Sequence, residues 1–160
     1  MQAPAHPDPG LAGTSVLVMG ASGYVGSHLV PHLAAQGARV RAAARRLGAL
    51  QARAWDGVET IAADALDPAS LDAALQGAQL AYYLVHSMAA GADFAQRDRR
   101  AAQNLAAAAA RAGVQRIVYL GGLQPRGKAS EHLSSRGETG DVLRQGPVPV
   151  TELRAGIIIG

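Results

Sequence analysis

The segment "SVLVMGASGYVG" (15–26) joins a short apolar run to a turn that contains three glycines. The apolar residues of the stretch 14–19 predict a buried strand, and residues 24–37 predict a helix that ends at Gly37. Pro31 lies inside this helix, but the apolar face continues on both sides of it, so we expect a kink there and not a break. Strand, glycine-rich turn and helix, in this order, form the first unit of the fold.

The three glycines, Gly20, Gly23 and Gly26, have different uses if the turn binds a dinucleotide. Gly20 permits the tight turn, Gly23 lets the backbone approach a pyrophosphate, and Gly26 lets the helix pack closely on the strand. The amino terminus of the helix then directs free N–H groups and a partial positive charge at the phosphates, and Ser22 adds a hydroxyl donor. The alternative is a tight strand–helix turn without a ligand.

The rest of the chain continues to alternate strand-like and helical segments. This alternation predicts a doubly wound α/β fold, in which a parallel sheet carries helices on both faces in three layers. Asp93 is expected to cap the long helix and Gly113 to end it. The predicted strands are 14–19, 38–44, 58–63, 78–85, 114–120 and the opening of 148–159, and the further predicted helices are 68–77, 93–113 and part of 130–146.

Composition limits the class of protein. The chain has 160 residues, a formal charge of +3, 49% hydrophobic residues and no cysteine. No apolar run is long enough to span a bilayer, so no membrane partner is expected, and the lack of cysteine fits a cytoplasmic protein. The arginines are scattered and only 4% of residues are aromatic, which argues against a nucleic-acid partner. We expect a disordered lead-in at 1–13 and one nucleotide-binding domain at 14–160, continuing into a substrate-binding part.

Two arginines stand where a dinucleotide site contacts the adenosine ribose. Arg45 and Arg46 follow the second predicted strand, and Arg45 lies nineteen residues after Gly26. An acidic residue there would accept a hydrogen bond from the 2′-hydroxyl of NAD, whereas a guanidinium favours the 2′-phosphate of NADP. The alternative is two solvated arginines in a loop. After the third strand, Asp64 is the candidate for the adenine amino group, while Asp67 is expected to cap the next helix.

Together these segments resemble the short-chain dehydrogenase/reductase superfamily, in its atypical and extended branches. The chain is most similar to the NAD(P)H-binding proteins allied to NmrA-like regulators and to an accessory subunit of respiratory complex I. The resemblance implies a Rossmann fold and covers nearly the whole chain from residue 15 onward. It is carried by "GASGYVG", "AADALDPASL", "AQLAYYLVHSM", "AAQNLAAAAARAGVQRIVYLGG" and "TELRAGIIIG".

The catalytic pattern of this superfamily is not matched. Active members use a serine after the fifth strand to polarise the substrate carbonyl, a tyrosine to transfer the proton, and a lysine four residues later that lowers the pKa of the tyrosine and holds the nicotinamide ribose. No Tyr-x-x-x-Lys sequence occurs here. Alignment of "HLSSR" with the family pattern places His132 at the tyrosine and Arg136 at the lysine, while Gly121 and Gly122 stand at the serine.

His86, His132 and Arg136 are therefore the catalytic candidates. An imidazole titrates near neutrality, so His132 can transfer a proton, with a surface or packing role as the alternative. Arg136 can bond a ribose as a fixed cation, although arginine does not tune a neighbouring pKa as lysine does. His86 follows the fourth strand, at the sheet edge that receives the ligand, where it either takes part in the chemistry or contacts the cofactor. Ser87 shares that place.

The resemblance implies an NADP(H)-binding domain, with NAD as the second choice of cofactor and no metal. An oxidoreductase is one hypothesis, a non-catalytic NADP sensor or scaffold is another, and a nucleotide-sugar epimerase or dehydratase is a third; the substrate is a small molecule that the sequence does not identify. The resemblance also implies a homodimer through the helix at 93–112. The expected cofactor contacts are Gly20, Ala21, Ser22, Gly23, Tyr24, Val25, Gly26, Arg45, Arg46, Asp64, Ala65, Leu84, Val85, His86, Ser87, Leu120 and Arg136.

Overall fold

The computed structural model describes residues 10–86, 93–123, 130–156 and 158, except for the side chain of residue 132. Strands and helices alternate along these residues, as the sequence predicts. The strands are β1 (Ser15–Met19), β2 (Arg39–Ala44), β3 (Glu59–Ala62), β4 (Leu80–Tyr83), β5 (Arg116–Gly122) and β6 (Val150–Ala155). The helices are α1 (Tyr24–Ala35), α2 (Leu47–Gln51), α3 (Pro68–Leu75), α4 (Phe94–Ala112) and α5 (Glu131–Gln145).

All of these strands pair in parallel in one sheet with the order β3-β2-β1-β4-β5-β6. Val16 of β1 is in register with Val40 of β2 on one side and with Leu80 of β4 on the other. The chain therefore winds outward from β1 in both directions, and the connections diverge between β1 and β4. In such sheets the crevice at the carboxyl ends of the diverging strands receives ligands.

The helices cover both faces of the sheet, because alternate residues of each strand point to opposite faces. Leu17 and Met19 of β1 pack in one buried cluster with α3, α4 and α5, whereas Val16 and Val18 pack in a second cluster with α1 and α2. The predicted three-layer, doubly wound fold is confirmed. No helix in the described ranges is both long and apolar enough to cross a bilayer.

The ends of the helices largely follow the sequence signals. The Asp67 carboxylate accepts a hydrogen bond from Ala69 N at 3.1 Å and caps α3, and Gly113 ends α4 in the left-handed conformation at φ +71°. Asp93 occupies the N-cap position of α4, but its side chain makes no capping hydrogen bond. Helix α1 is not broken at Pro31, although it ends two residues before Gly37.

The structure differs from the sequence-based expectation at α2 and at residues 10–13. The five-residue helix α2 was not predicted, because it is little more than one turn and its anchoring contact is tertiary: Leu50 is buried against the β2 side of the sheet. Residues 10–13, which the lead-in was expected to include, contact the domain, with Gly13 N donating to Gly37 O at 2.9 Å. Residues 1–9 lie outside the described part of the chain.

Candidate functional site

The glycine loop connects β1 to α1 and requires a glycine at position 26. A Cβ on Gly26 would lie 2.5 Å from Gly20 O and 2.7 Å from Ala21 Cα, which are both backbone atoms. The loop therefore packs directly against the first turn of α1. No side chain caps the amino terminus of α1, and its first turn contains no acidic residue. The positive end of the helix is not neutralised there and is directed at the cleft.

Two cavities lie on either side of this loop at the carboxyl edge of the sheet. The first has a volume of about 480 Å³ and extends over the ends of β2 and β3, and the second, of about 670 Å³, extends over β4, β5 and α5. The residues common to both are Gly20, Gly23, Leu84, His86 and Asp98. A dinucleotide has two halves joined by a pyrophosphate, and this paired cleft has the same division about the glycine loop.

The first cavity contains the residues expected around an adenosine. Arg45, Asp64, Ala65 and Val85 line it together with Ser22. Asp64 Oδ1 accepts a hydrogen bond from Leu66 N at 2.9 Å, and Ser70 Oγ donates to the Asp64 carbonyl at 3.0 Å. These bonds fix the turn after β3, in which Asp64 lines the cavity.

Arg45 and Arg46 take different positions immediately before α2. Arg45 lines the first cavity, whereas Arg46 is the N-cap residue of α2 and lines neither cavity. Ala21 also lines neither, because it is fully buried on the α1 side, with its N–H donating to Ala43 O at 3.0 Å. Of these three expected cofactor contacts, therefore, only Arg45 lines a cavity.

The second cavity brings His86 and Arg136 together. Arg136 Nη2 lies 3.1 Å from His86 Nε2 and 3.3 Å from Nδ1, so the guanidinium donates to a ring nitrogen of the imidazole that carries no proton. Tyr24, Val25 and Leu120 line the same cavity. Two of the three catalytic candidates are therefore in contact.

The remaining candidates lie outside what the structure describes. His132 belongs to α5, but its side chain is outside the described part, and Ser87 lies in the segment between β4 and α4 that is not described.

Side chains of other elements occupy the space beside Gly121 and Gly122, the positions at which the family has its serine. A Cβ on Gly122 would lie 3.0 Å from Leu133 Cδ2 and 3.3 Å from Arg136 Cδ. A Cβ on Gly121 would lie 2.6 Å from Glu152 Oε1. Glycine at position 122 lets the stem of Arg136 cross the end of β5 and reach His86, and glycine at position 121 leaves room for the Glu152 carboxylate.

None of the core tyrosines replaces the missing proton donor. Tyr83 and Tyr119 are buried, and burial is the main cause that raises the pKa of Tyr119 to about 12 and raises the pKa of Tyr83 further. The Tyr119 hydroxyl donates to Arg136 O at 3.1 Å, which anchors α5 to the sheet. Tyr24 differs because it is 54% exposed and lines the second cavity.

Asp98 is a site residue that the sequence reasoning missed. Its side chain on α4 is buried, lines both cavities and accepts a hydrogen bond from Ser135 Oγ at 3.2 Å. Arg97 and Ala101, on the same side of α4, also line the first cavity. The only sequence signal was that Ala101 lies four residues after Arg97 and three after Asp98, which makes it a neighbour of both on the helix surface. The outer side of α4 is exposed at Gln103 and Ala107, and the homodimer through this helix stays a prediction.

The parallel sheet with its strand order, and the cleft beside a glycine loop between β1 and β4, define a Rossmann-type nucleotide-binding domain. Within that class the chain belongs to the NmrA-like family, whose model matches residues 13–157. The resemblance inferred from the sequence is confirmed.

Individual relatives agree with this assignment. Sterol demethylase protein B of Methylococcus capsulatus is 33% identical over 131 residues, which are 74% of this chain and 39% of that protein. Triphenylmethane reductase of Citrobacter sp. is 25% identical with a TM-score of 0.77, covering 88% of this chain and 48% of that one, and it has also been solved with NADP(H).

The NADPH complex of the quinone oxidoreductase QOR2 of Escherichia coli is 26% identical, with a TM-score of 0.74 over 87% of this chain and 48% of that one. The chain thus spans 39% of the curated relative and about half of these solved proteins.

Proposed function

We propose that this domain binds NADP(H) across the glycine loop and serves an oxidoreductase in which Arg136 and His86 face the reacting end of the cofactor. The observation that carries the proposal is the contact between these two side chains within the second cavity. The complexes of triphenylmethane reductase and QOR2 with NADP(H) and NADPH support the same cofactor for this chain.

The residues of the cleft fit a dinucleotide. The uncapped amino terminus of α1 and the close approach at Gly26 suit a pyrophosphate, which needs N–H donors and no side chain in its way. Arg45 on the first cavity suits a 2′-phosphate, and Asp64 suits the adenine amino group. Leu84, which both cavities share, offers an apolar contact at their junction.

The second cavity would receive the nicotinamide and the substrate. When bound, a reduced nicotinamide supplies a hydride to an electrophilic carbon of the acceptor. The Arg136 guanidinium is a permanent cation whose N–H groups bind the acceptor's oxygen and stabilise the negative charge that develops there. A ring nitrogen of His86 that carries a proton can deliver it to the same oxygen, which gives the reduced product.

The missing serine and tyrosine do not contradict this arrangement. A serine hydroxyl would polarise the carbonyl from the end of β5, and here the Arg136 stem crosses Gly122 at that point. Because a guanidinium is charged, its N–H groups form stronger hydrogen bonds to a developing oxyanion than a neutral hydroxyl does.

The test measures binding and turnover separately. The purified domain is titrated into NADPH and NADH, and blue-shifted, enhanced emission reports binding. The consumption of NADPH is then followed with a panel of carbonyl compounds and quinones. We expect His86→Ala and Arg136→Ala to lower turnover by about 100-fold or more. Arg53→Ala, an exposed arginine that lines neither cavity, is the matched control.

The outcomes discriminate between the hypotheses. Tight NADPH binding with no turnover of any acceptor, both by this chain and by a longer one that includes the expected substrate-binding part, would favour a sensor or scaffold. A well-folded sample that binds neither cofactor would overturn the proposal in both forms.

A further inference from the structure

Several arginines of this domain form salt bridges with carboxylates, whereas Arg45 and Arg97 line the first cavity. Arg99 bonds Glu138, Arg111 bonds Asp72 with Nη2 2.7 Å from Oδ1, and Arg144 bonds Asp141 and Glu152 at 2.5 Å. The first of these pairs joins α4 to α5, and its arginine lies two residues after Arg97. Along this helix, therefore, carboxylates from α3 and α5 neutralise the arginines that face them.

Arg97, on the same helix, lies at a cavity. It belongs to the first turn of α4, is exposed, and lines the first cavity together with Arg45 of the β2 end. Among the described residues, neither guanidinium forms a salt bridge. Arg45 follows β2 and Arg97 lies on α4, so two guanidinium groups without a salt bridge to a described carboxylate line this cavity from different structural elements.

The carboxylates of the same cavity accept hydrogen bonds from groups other than the two arginines. Asp64 Oδ1 accepts from Leu66 N, and Asp98 Oδ2 accepts from Ser135 Oγ on α5. Asp98 is also only 8% exposed, whereas the Arg97 side chain extends from the helix surface. A guanidinium without a salt-bridge partner can bind an anionic ligand, and a phosphate fits its planar set of N–H donors.

We propose that Arg97 is a second phosphate-binding arginine, opposite Arg45, that binds a phosphate group of the nucleotide held in the first cavity. This inference rests on the proposed function and extends it, because it adds a specificity-determining residue on α4 that the glycine loop and the β2 end do not provide. The phosphate is either the 2′-phosphate of the adenosine or the pyrophosphate. Arg97 lines the first cavity and does not line the second, so its place is on the adenosine side of the glycine loop.

The experiment compares Arg97→Gln with Arg100→Gln. Arg100 is an exposed arginine on the same helix that lines neither cavity, so it controls for the loss of one positive charge. Dissociation constants for NADPH and NADH are measured by fluorescence at low and at high salt. We expect Arg97→Gln to weaken NADPH binding by about 5- to 20-fold and to reduce its salt dependence, with Arg100→Gln changing it by less than about twofold.

The two cofactors identify the phosphate. A loss for NADPH that is much larger than the loss for NADH assigns the 2′-phosphate, and an equal loss for both assigns the pyrophosphate. Arg97→Lys keeps the charge without the planar donor pair and should recover part of the affinity.

The inference and the proposed function fail in distinguishable ways. If the wild-type protein binds neither cofactor, the proposed function is wrong. If the wild-type protein binds NADPH and the Arg97 and Arg100 variants behave alike, or if the loss in Arg97→Gln is independent of salt, the phosphate role of Arg97 is wrong while the site itself stands. Circular dichroism of each variant shows that the fold is retained.

Discussion

The Glu152 carboxylate occupies the space that a side chain at Gly121 would need, with Oε1 2.6 Å from the Cβ position of residue 121. Glu152 Oε2 lies 3.0 Å from the Cβ position of Gly140 on α5. Arg144 and Arg154 hold this carboxylate at 2.5 and 3.2 Å, and its side chain is 7% exposed. The absence of a serine at the end of β5 is therefore coupled to a partly buried acidic residue on β6.

This coupling predicts the effect of restoring a serine. Gly121→Ser should destabilise the domain by about 1–3 kcal/mol, because the carboxylate must move and lose part of its bonding. In the Glu152→Ala background the same substitution should cost clearly less, since the obstructing group is absent. Denaturant unfolding of the four proteins gives the coupling energy. Equal costs in both backgrounds would show that the carboxylate does not restrict residue 121.

The stability of the domain should depend on the charge of Glu152 at acidic pH. Burial alone would raise the pKa of this carboxyl, but the bonds from Arg154 and Arg144 outweigh it and hold the pKa below the ordinary value of 4.5. A group whose pKa is lower in the folded state stabilises the fold above its unfolded pKa and loses that effect as the pH falls through the folded pKa.

Glu152→Gln should therefore be less stable than wild type at pH 7, by about 1–3 kcal/mol. The difference should shrink as the pH falls below about 4.5, since wild type then loses the contribution of the carboxylate. Urea unfolding of both proteins between neutral and acidic pH measures it. A difference that stays constant with pH would mean that the ionised carboxylate is not what stabilises this region.

The packing of the glycine loop can be tested with two alanine substitutions. Gly26→Ala places a Cβ 2.5 Å from backbone Gly20 O, so it should destabilise the domain by about 1–3 kcal/mol and abolish NADPH binding. Gly48→Ala in α2 is the control, because a Cβ there meets no atom within 4 Å. It should leave binding unchanged and increase stability slightly. Thermal unfolding and fluorescence titration report the two properties, and unimpaired binding by Gly26→Ala would contradict the close approach.

The preference between the two nicotinamide cofactors should depend on Arg45 and much less on Arg46. Arg45→Asp replaces the guanidinium with a carboxylate, which repels a 2′-phosphate and accepts from a 2′-hydroxyl. We expect the ratio of the NADPH to the NADH dissociation constant to rise by about 10-fold or more. Arg46→Asp, at a residue that lines neither cavity, should change this ratio little. Comparable shifts in both variants would show that the charge acts at long range.

Local sequence patterns determined the order of the strands and helices, the place of the glycine loop and the caps at Asp67 and Gly113. These features depend on residues that are close in sequence: the apolar period of each segment, a turn that needs glycine, and a carboxylate near the first N–H groups of a helix. Parallel pairing followed from the alternation of strands and helices alone.

The tertiary structure decided which side chains meet at the site. His86 and Arg136 are 50 residues apart in sequence, and Asp98 and Ser135 are 37 apart. The obstruction of Gly121 by Glu152 depends on the pairing of β5 with β6. Arg46 does not line the cavity with Arg45, because it is the N-cap residue of the unpredicted helix α2. No periodic pattern encodes such contacts, because they depend on the relative positions of packed elements and not on the conformation of any one of them.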